Sequence, residues 1–291
     1  MISKQRIIHI AQKFARVILI DISKSSMASV EAIKIKLVNN ILKFHPENLI
    51  KYGYSVYSQN EEDGIIQEIF KRLSLNNITF IEFGVHAAEN NTMNLLLNEG
   101  RGTWVDKGLT EFKSGLQTNK KLNIIDQFVT KENVFEIYSQ SLDFLELKNN
   151  ETIDLVSLDL DGNDYYFISQ LLLKGARPKL FCLEYNPKFN PPTKVKIKYN
   201  SSHQWENNDD YYGCSLQEYV ELLKKFDYTL LTCNITGSNC FFIRNEFVSH
   251  FKIYSAAELH QPGRDFLSPI FKGKNASMKY VLNLTNQIQA K

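Results

Sequence analysis

The segment YTLLTCNITGSNCFFIR, residues 228–244, decides the fold. Its two apolar runs, YTLLTC and NCFFIR, each have the length of a strand, and only a short turn separates them. A parallel pair of strands needs a crossover of about a dozen residues or more, so these two runs are expected to pair antiparallel. The sequence therefore predicts a sheet that ends in an antiparallel hairpin.

Upstream of this hairpin, short apolar runs alternate with amphipathic segments. Five strands are predicted, from TFIEFG, TWVD, NIIDQFV, IDLVSLDLD and KLFCLEYN. Helices are predicted from EEDGIIQEIFKRL, ENNTMNLLLNEG (with Gly100 as its C-cap), GLTEFKSGLQTNKK, KENVFEIYSQSLDFLEL, DYYFISQLLLKG and SLQEYVELLKKF. This alternation predicts right-handed crossovers and an α/β fold. With the hairpin, it gives a Rossmann-like, seven-stranded, mostly parallel sheet whose last strand is antiparallel and whose two faces carry helices.

Length and composition bound the class of protein. The chain has 291 residues, is 43% hydrophobic and carries a net charge of +2, which indicates a globular protein and no nucleic-acid partner. Its four cysteines form no CxxC pair, so buried thiols in a reducing compartment are expected. No apolar run reaches the length of about 18 residues that a transmembrane helix needs.

The alternating region suggests a central domain over 51–250, with extensions over 1–50 and 251–291. Apolar residues recur at helical spacing over 7–18, which predicts a helix that packs on the domain or joins two copies in a homo-oligomer. A basic helix lying on a membrane surface is the alternative for this segment.

Acidic side chains follow most of the predicted strands. In an open α/β sheet, ligands bind outside the carboxyl ends of the strands, where the strand order reverses. A glycine there allows the close approach of a ligand, and an acid can accept hydrogen bonds from ribose hydroxyls or from an amino group. The candidates, in strand order, are Glu82 and Gly84, Asp106, Asp159 and Asp161, and Glu184 and Asn186.

The stretch LDLDGNDYYF, residues 158–167, raises the question of a calcium loop. Asp159, Asp161 and Asn163 have the spacing of the first ligands of an EF-hand. The sixth position is Asp164 instead of glycine, the twelfth is Gln170, and a strand precedes the stretch instead of a helix. We therefore predict the end of a strand, with Asp164 as N-cap of the following helix.

A long insertion over 187–214 follows the fifth strand and is rich in Pro, Asn and Tyr. Long loops on a rigid α/β scaffold usually carry function. Aromatic faces with a few polar groups suit a sugar ring, so the insertion predicts an acceptor site. Its candidate residues are His203, Tyr199, Trp205, Tyr211 and Tyr212.

Four stretches together resemble the FkbM-type family of S-adenosylmethionine-dependent O-methyltransferases: SQNEEDGII, FIEFGVHAAENNT, EGRGTWVD and LVSLDLDGND. The order of strands is likewise that of a class I methyltransferase. The resemblance implies a cytoplasmic enzyme that methylates a sugar hydroxyl, such as that of a nucleotide-linked or surface-polysaccharide (capsule) sugar. It also implies that S-adenosylmethionine contacts Ser58, Gln59, Glu82, Gly84, Thr92, Asp106 and Asp159. For Ser58 and Gln59, simple helix capping is the alternative.

Transfer of a methyl group to a hydroxyl requires that the hydroxyl lose its proton. Asp161 or His203 could take it as a general base, with Asp159 beside them. Alternatively, Mg²⁺ held by Asp159, Glu184 and Asn186 could lower the pKa of the hydroxyl, as in catechol-type enzymes. The metal-free route is preferred, with Glu184 and Asn186 then contacting the acceptor. The rival functions are a metal-dependent macrolide or catechol-type methyltransferase and a non-catalytic protein that binds sugar nucleotides.

Overall fold

The computed structural model describes residues 27–86, 89–109, 120–147, 151–205 and 209–267. Its strands are β1 (Thr79–Phe83), β2 (Arg101–Asp106), β3 (Leu122–Asp126), β4 (Leu155–Leu158), β5 (Leu180–Glu184), β6 (Tyr228–Cys233) and β7 (Asn239–Arg244). Its helices are α1 (27–42), α2 (Glu62–Arg72), α3 (Met93–Leu97), α4 (Val134–Phe144), α5 (Asp164–Leu173), α6 (Leu216–Lys224) and α7 (Ala256–Leu259). The helix predicted over 7–18 and most of the one predicted from GLTEFKSGLQTNKK lie outside the described residues.

All seven strands form one sheet in the order β3-β2-β1-β4-β5-β7-β6. Strands β1 to β5 pair parallel, and β7 pairs antiparallel with both β5 and β6. This confirms the predicted fold, including the antiparallel last strand. The strand order reverses between β1 and β4, which is where an open α/β sheet binds its ligands.

The two faces of the sheet are covered by separate apolar cores. On one face, Phe83, Val156 and Leu183 pack with residues of α4, α5 and α6. On the other, Phe80 and Trp104 pack with residues of α2 and α3. Because both faces are buried, the central strands are mostly apolar, as the sequence indicated, and the polar residues within them, such as Glu82 and Ser157, are buried too.

Helix α3 is shorter than predicted. The prediction began it near Glu89 and capped it at Gly100, but the helix spans Met93–Leu97 and its C-cap is Asn98. The reason lies at its start, where the Glu82 carboxylate accepts hydrogen bonds from the backbone N–H groups of Asn91 and Thr92. These residues are thereby fixed in a turn outside the helix.

The described parts of both extensions pack on the end of the sheet. Val30, Val38 and Ile41 of α1 contact a small apolar cluster that contains Ile235 of the β6–β7 turn and Leu267 near the carboxyl end. None of the described helices has the length and apolar character needed to cross a membrane. All four cysteines are buried and free, as predicted.

Candidate functional site

A cavity of about 1180 Å³ opens at the carboxyl edge of the sheet, around the switch between β1 and β4. We call it the strand-end cavity. Its walls come from the ends of β1, β2, β4 and β5, from the insertion 187–214, from the β6–β7 turn and from Gly263 and Asp265. Its volume is large enough for a nucleoside cofactor together with a second ligand.

Glu82 lies at the floor of this cavity and is 2% exposed. Its carboxylate accepts hydrogen bonds from Asn91 N at 2.6 Å, from Thr92 N at 3.1 Å and from the Thr92 hydroxyl. Burial raises its pKa to about 7, although these hydrogen bonds act in the opposite direction. Glu82 therefore fixes the wall formed by Asn90 and Asn91 as well as lining the cavity.

Thr92, predicted to bind the cofactor carboxylate, does not line the strand-end cavity. It is fully buried, and its hydroxyl donates to Glu82 and accepts from the Trp104 indole N–H at 2.8 Å. Both hydrogen-bonding roles of the hydroxyl are therefore used inside the protein. Thr92 therefore holds the Glu82 carboxylate in place through its N–H and hydroxyl groups.

Gly84 and Asp106 line the cavity at the ends of β1 and β2. Gly84 has a φ of +87°, and a Cβ there would lie 1.6 Å from the carbonyl oxygen of Asp159. Glycine is therefore required both by its conformation and by the close approach of β4. Asp106 accepts a hydrogen bond from Lys107 N, and burial raises the pKa of its carboxyl group. Both residues are thus placed where the sequence predicted cofactor contacts.

The segment 53–61 bounds the cavity next to β1. Gln59 and Asn60 line it, but Ser58 does not. Ser58 is buried, and its hydroxyl accepts from Asp63 N and donates to the carbonyl of Asn60. The bonds of Ser58 thus match the capping alternative.

Sequence reasoning missed the residues that anchor this segment. Asp63 Oδ2 accepts hydrogen bonds from the backbone N–H groups of residues 56, 57 and 58 at 2.7, 2.7 and 2.9 Å. Glu62 accepts from Asn60 N and from the Asn234 side chain, which ties the segment to the β6–β7 turn. Burial raises the pKa of Glu62 to about 8. The signal available in the sequence was the run of three acids, 61–63, at a helix start.

The strand-end acids meet between β4 and β5. Asp159, Asp161 and Glu184 each offer a carboxylate oxygen within 4.8 Å of the other two, and we call them the acid triad. Leu158 pairs with Leu183 in the sheet, so the next residues, Asp159 and Glu184, end adjacent strands at one level. Desolvation raises the pKa of all three carboxyl groups. The charge of Asp161 raises the pKa of Asp159 further, and the charge of Asp159 raises that of Glu184 further.

Asn186 does not belong to this group. It is 1% exposed, and its side-chain amide donates to the carbonyls of Asp210 and Tyr212 while its oxygen accepts from Lys188 N. It does not line the cavity. Asn186 therefore lies apart from Asp159 and Glu184, with which it was predicted to bind Mg²⁺, and Asp161 lies beside those two acids.

The turn after β4 holds the insertion in place. Asp164 is the first residue of α5, and its carboxylate accepts from the N–H groups of Leu160 and Gly162 at 2.8 Å each, whereas Asn163 is the N-cap. The predicted N-cap role of Asp164 is thus wrong, because its side chain closes the preceding turn. Asn163 exchanges two hydrogen bonds with the backbone of Asn200.

The aromatic residues of the insertion divide into two groups. His203, Trp205 and Tyr212 line the cavity, and the rings of Trp205 and Tyr212 are 4.7 Å apart. Tyr199 and Tyr211 do not line it: the Tyr199 hydroxyl contacts Lys131 N and Glu132, and the Tyr211 hydroxyl accepts from Lys198 N.

His203 lies against Gly162, where a Cβ would come within 2.5 Å of its ring. Its Nε2 atom is buried and has no hydrogen-bond partner in the part of the chain that the structure describes. The absence of a side chain at residue 162 is therefore what allows the histidine to approach the turn that carries Asp161.

The described lining of the cavity is strongly acidic. It contains nine carboxylates and two lysines, and one of these, Lys188, pairs with Asp210 at 3.1 Å. Such a site favours ligands that carry positive charge or many hydroxyl groups.

The strand order defines the fold of a class I methyltransferase, and the strand-end cavity lies at the carboxyl edge of that sheet. Among solved structures, the chain is similar to the small RNA methyltransferase HEN1, at 13% identity and a TM-score of 0.36 over 62% of this chain. It spans only 24% of the length of HEN1.

A second similar structure is an S-adenosylmethionine-dependent methyltransferase from Clostridium acetobutylicum ATCC 824. The identity is 14% and the TM-score 0.37, over 63% of this chain and 90% of the other. No protein-family model and no curated protein matches the sequence. At these identities and TM-scores the likenesses carry no argument about activity.

Proposed function

We propose that this protein is an S-adenosylmethionine-dependent O-methyltransferase of the FkbM type that acts on a sugar hydroxyl. One observation carries the proposal. The strand-end cavity joins the predicted cofactor residues Glu82, Gly84 and Asp106 to the acid triad and to an aromatic wall of Trp205 and Tyr212. Two ligands of different character therefore have adjoining places in one cavity.

The chain's own residues fit the cofactor on the side of β1 and β2. Asp106 offers a half-buried carboxylate suited to two ribose hydroxyls, and Gly84 lines the cavity beside it at the end of β1. Gln59 and Asn60 border the same region, and Asn60 is held by a hydrogen bond of 3.2 Å to Ser238. When bound, S-adenosylmethionine would supply an activated methyl group.

The acceptor side lies between the acid triad and the insertion. Trp205 and Tyr212 offer ring faces for a sugar, and the Trp205 indole N–H is held by the carbonyl of Asp209 at 2.9 Å. Asp161 is the exposed member of the triad, so it is the carboxylate that an acceptor hydroxyl can reach first. Desolvation raises the pKa of its carboxyl group, so without a cation at the triad Asp161 would take the hydroxyl proton as general base, whereas with a cation bound it would act as a ligand.

This lining supports the proposed class of acceptor. A surface-polysaccharide or nucleotide-linked sugar presents hydroxyls to the carboxylates and its ring to the aromatic wall. The proposed site of action is the cytoplasm, in keeping with the four free thiols.

Isothermal calorimetry with S-adenosylmethionine and S-adenosylhomocysteine tests the cofactor half of the proposal. We expect binding in the micromolar range typical of enzyme ligands. Incubation with tritiated S-adenosylmethionine and a panel of sugars and sugar nucleotides tests the acceptor half. Sugar-nucleotide binding without any cofactor binding would instead support a non-catalytic binding protein.

A further inference from the structure

We propose that Asp159, Asp161 and Glu184 bind one divalent cation of the Mg²⁺ or Mn²⁺ type at the end of β4 and β5. The cation site stands on its own geometry. Its use in activating the acceptor hydroxyl rests on the proposed methyl transfer. This assigns Asp161 as a ligand and removes Asn186 from the set.

The spacing of the acid triad suits a single ion. Its three oxygens lie within 4.8 Å of one another. Two oxygens bound to one ion can be at most roughly 4.2 Å apart around Mg²⁺ and roughly 5.2 Å apart around Ca²⁺, so oxygens within 4.8 Å of one another have about the spacing of ligands that share one ion. The sheet register brings Asp159 and Glu184 together without any movement of the backbone.

No basic side chain among the described residues forms an ion pair with the triad. Lys188, in the same cavity, pairs with Asp210, and the ammonium group of Lys107 lies over the Phe128 ring at 5.9 Å. Three clustered carboxylates without a counter-ion are unfavourable, because like charges at this distance repel strongly in a partly desolvated site. A divalent cation removes that repulsion.

Two buried atoms in the cavity have no hydrogen-bond partner among the described residues, although nearly all buried polar atoms in proteins have one. One is Oε2 of Glu184, a member of the triad. The other is Nε2 of His203, which lies outside the triad and across the turn at Gly162. A hydrated cation at the triad would supply a bond to Glu184 directly and water ligands to neighbouring polar atoms.

The donor set selects the class of metal. All three ligands are carboxylate oxygens, which suit Mg²⁺, Mn²⁺ and Ca²⁺, and no sulfur ligand joins them as zinc or copper would favour. An oxygen of the acceptor could complete the coordination and would lose its proton more easily on the metal.

Titration with Mn²⁺ alone, followed by electron paramagnetic resonance, tests the site on the full chain without any cofactor. We expect one Mn²⁺ per chain with a Kd below about 1 mM, displaced by Mg²⁺, and a loss of affinity of about tenfold or more in Asp161→Asn. Asp265→Asn is the matched control, because it removes another carboxylate of the same cavity outside the triad. Its affinity should stay within about twofold of the parent.

Asp161 is exposed, so its substitution should leave the fold intact, and circular dichroism verifies this. Absence of Mn²⁺ binding at millimolar concentration, or an equal loss in Asp161→Asn and Asp265→Asn, would overturn the proposal. The proposed function is tested separately. If Mn²⁺ binds at the triad but calorimetry shows no binding of S-adenosylmethionine, the cation site is supported and the methyltransferase activity is refuted.

Discussion

Gly84→Ala should be among the most damaging single-methyl changes in this protein. The new Cβ would lie 1.6 Å from the Asp159 carbonyl oxygen, whereas real Cβ atoms stay at least 3.0 Å from such neighbours. The end of β1 or of β4 must therefore move by at least the difference, 1.4 Å. The change also places alanine at a φ of +87°.

The magnitude follows from these two costs. A left-handed conformation costs a residue with a Cβ roughly 1–2 kcal/mol, and forcing extra volume into a packed region costs roughly 1–3 kcal/mol. Alanine also restricts the unfolded chain, which offsets these costs by roughly 0.4–1 kcal/mol. We expect the free energy of unfolding to fall by roughly 3 kcal/mol.

Gly175→Ala separates the two costs. Gly175 has a φ of +97°, but a Cβ there would meet nothing within 4 Å. It should lose only roughly 1 kcal/mol, because the conformational cost remains and the collision is absent. Urea unfolding followed by the fluorescence of buried Trp104 measures both variants. Equal losses in the two variants would refute the assignment of the close contact between β1 and β4.

The remaining predictions concern ligands and pH. Asp106→Ala should weaken S-adenosylmethionine binding by roughly 1.5–3 kcal/mol, the scale of a hydrogen bond to a charged group; calorimetry showing an unchanged Kd would contradict its ribose role. Trp205→Ala should raise the acceptor KM and leave the cofactor affinity unchanged. Tyr199→Phe, which lies outside the cavity, is the control and should change neither. A loss of both affinities in Trp205→Ala would count against an acceptor site separate from the cofactor site. Burial raises the pKa of Glu62 from 4.5 to about 8, so the stability it contributes is full below pH 4.5 and is lost as the pH rises to about 8. Glu62→Gln cannot titrate at this position, so any loss of stability that it causes is the same at every pH. Relative to this variant, the free energy of unfolding of the parent should therefore fall by a few kcal/mol across that range. Urea unfolding at pH 5 and pH 8 measures both proteins, and an equal change with pH in the two would show that the Glu62 carboxyl group is already ionised at pH 5.

Much of the fold followed from the sequence because strand order is governed by chain connectivity. Two apolar runs joined by a short turn are expected to pair antiparallel, and runs joined by helices are expected to run in the same direction within one sheet, whether or not they are neighbours. The length of α3 did not follow. It depends on the Glu82 carboxylate, which captures the N–H groups of Asn91 and Thr92 from another element of the fold.

The position of the candidate site could be predicted from the sequence, but the direction in which each polar side chain points could not. Strand ends meet at one edge of a parallel sheet, and Asp106, Asp159 and Glu184, the candidates at three strand ends, line one cavity; their contacts with ligands stay predictions. Asn186 lies only two residues beyond Glu184, yet its side chain is used by the backbone of the insertion. Some polar side chains form all their hydrogen bonds within the protein, and others are left to face the cavity. The loops decide between these two outcomes, and local sequence patterns do not specify how loops fold.

The charge of the cavity could not have been inferred from composition, and it constrains the acceptor. The chain carries a net charge of +2, whereas the described lining of the cavity holds nine carboxylates and two lysines. The difference arises because the topology gathers strand-end acids at one edge while most lysines and arginines lie elsewhere. A neutral glycan can enter such a cavity unaided, but the phosphates of a nucleotide-linked sugar would meet like charges. A divalent cation on the acid triad would offset that repulsion, so Mg²⁺ should increase binding of a nucleotide-linked sugar much more than binding of the same sugar without its nucleotide.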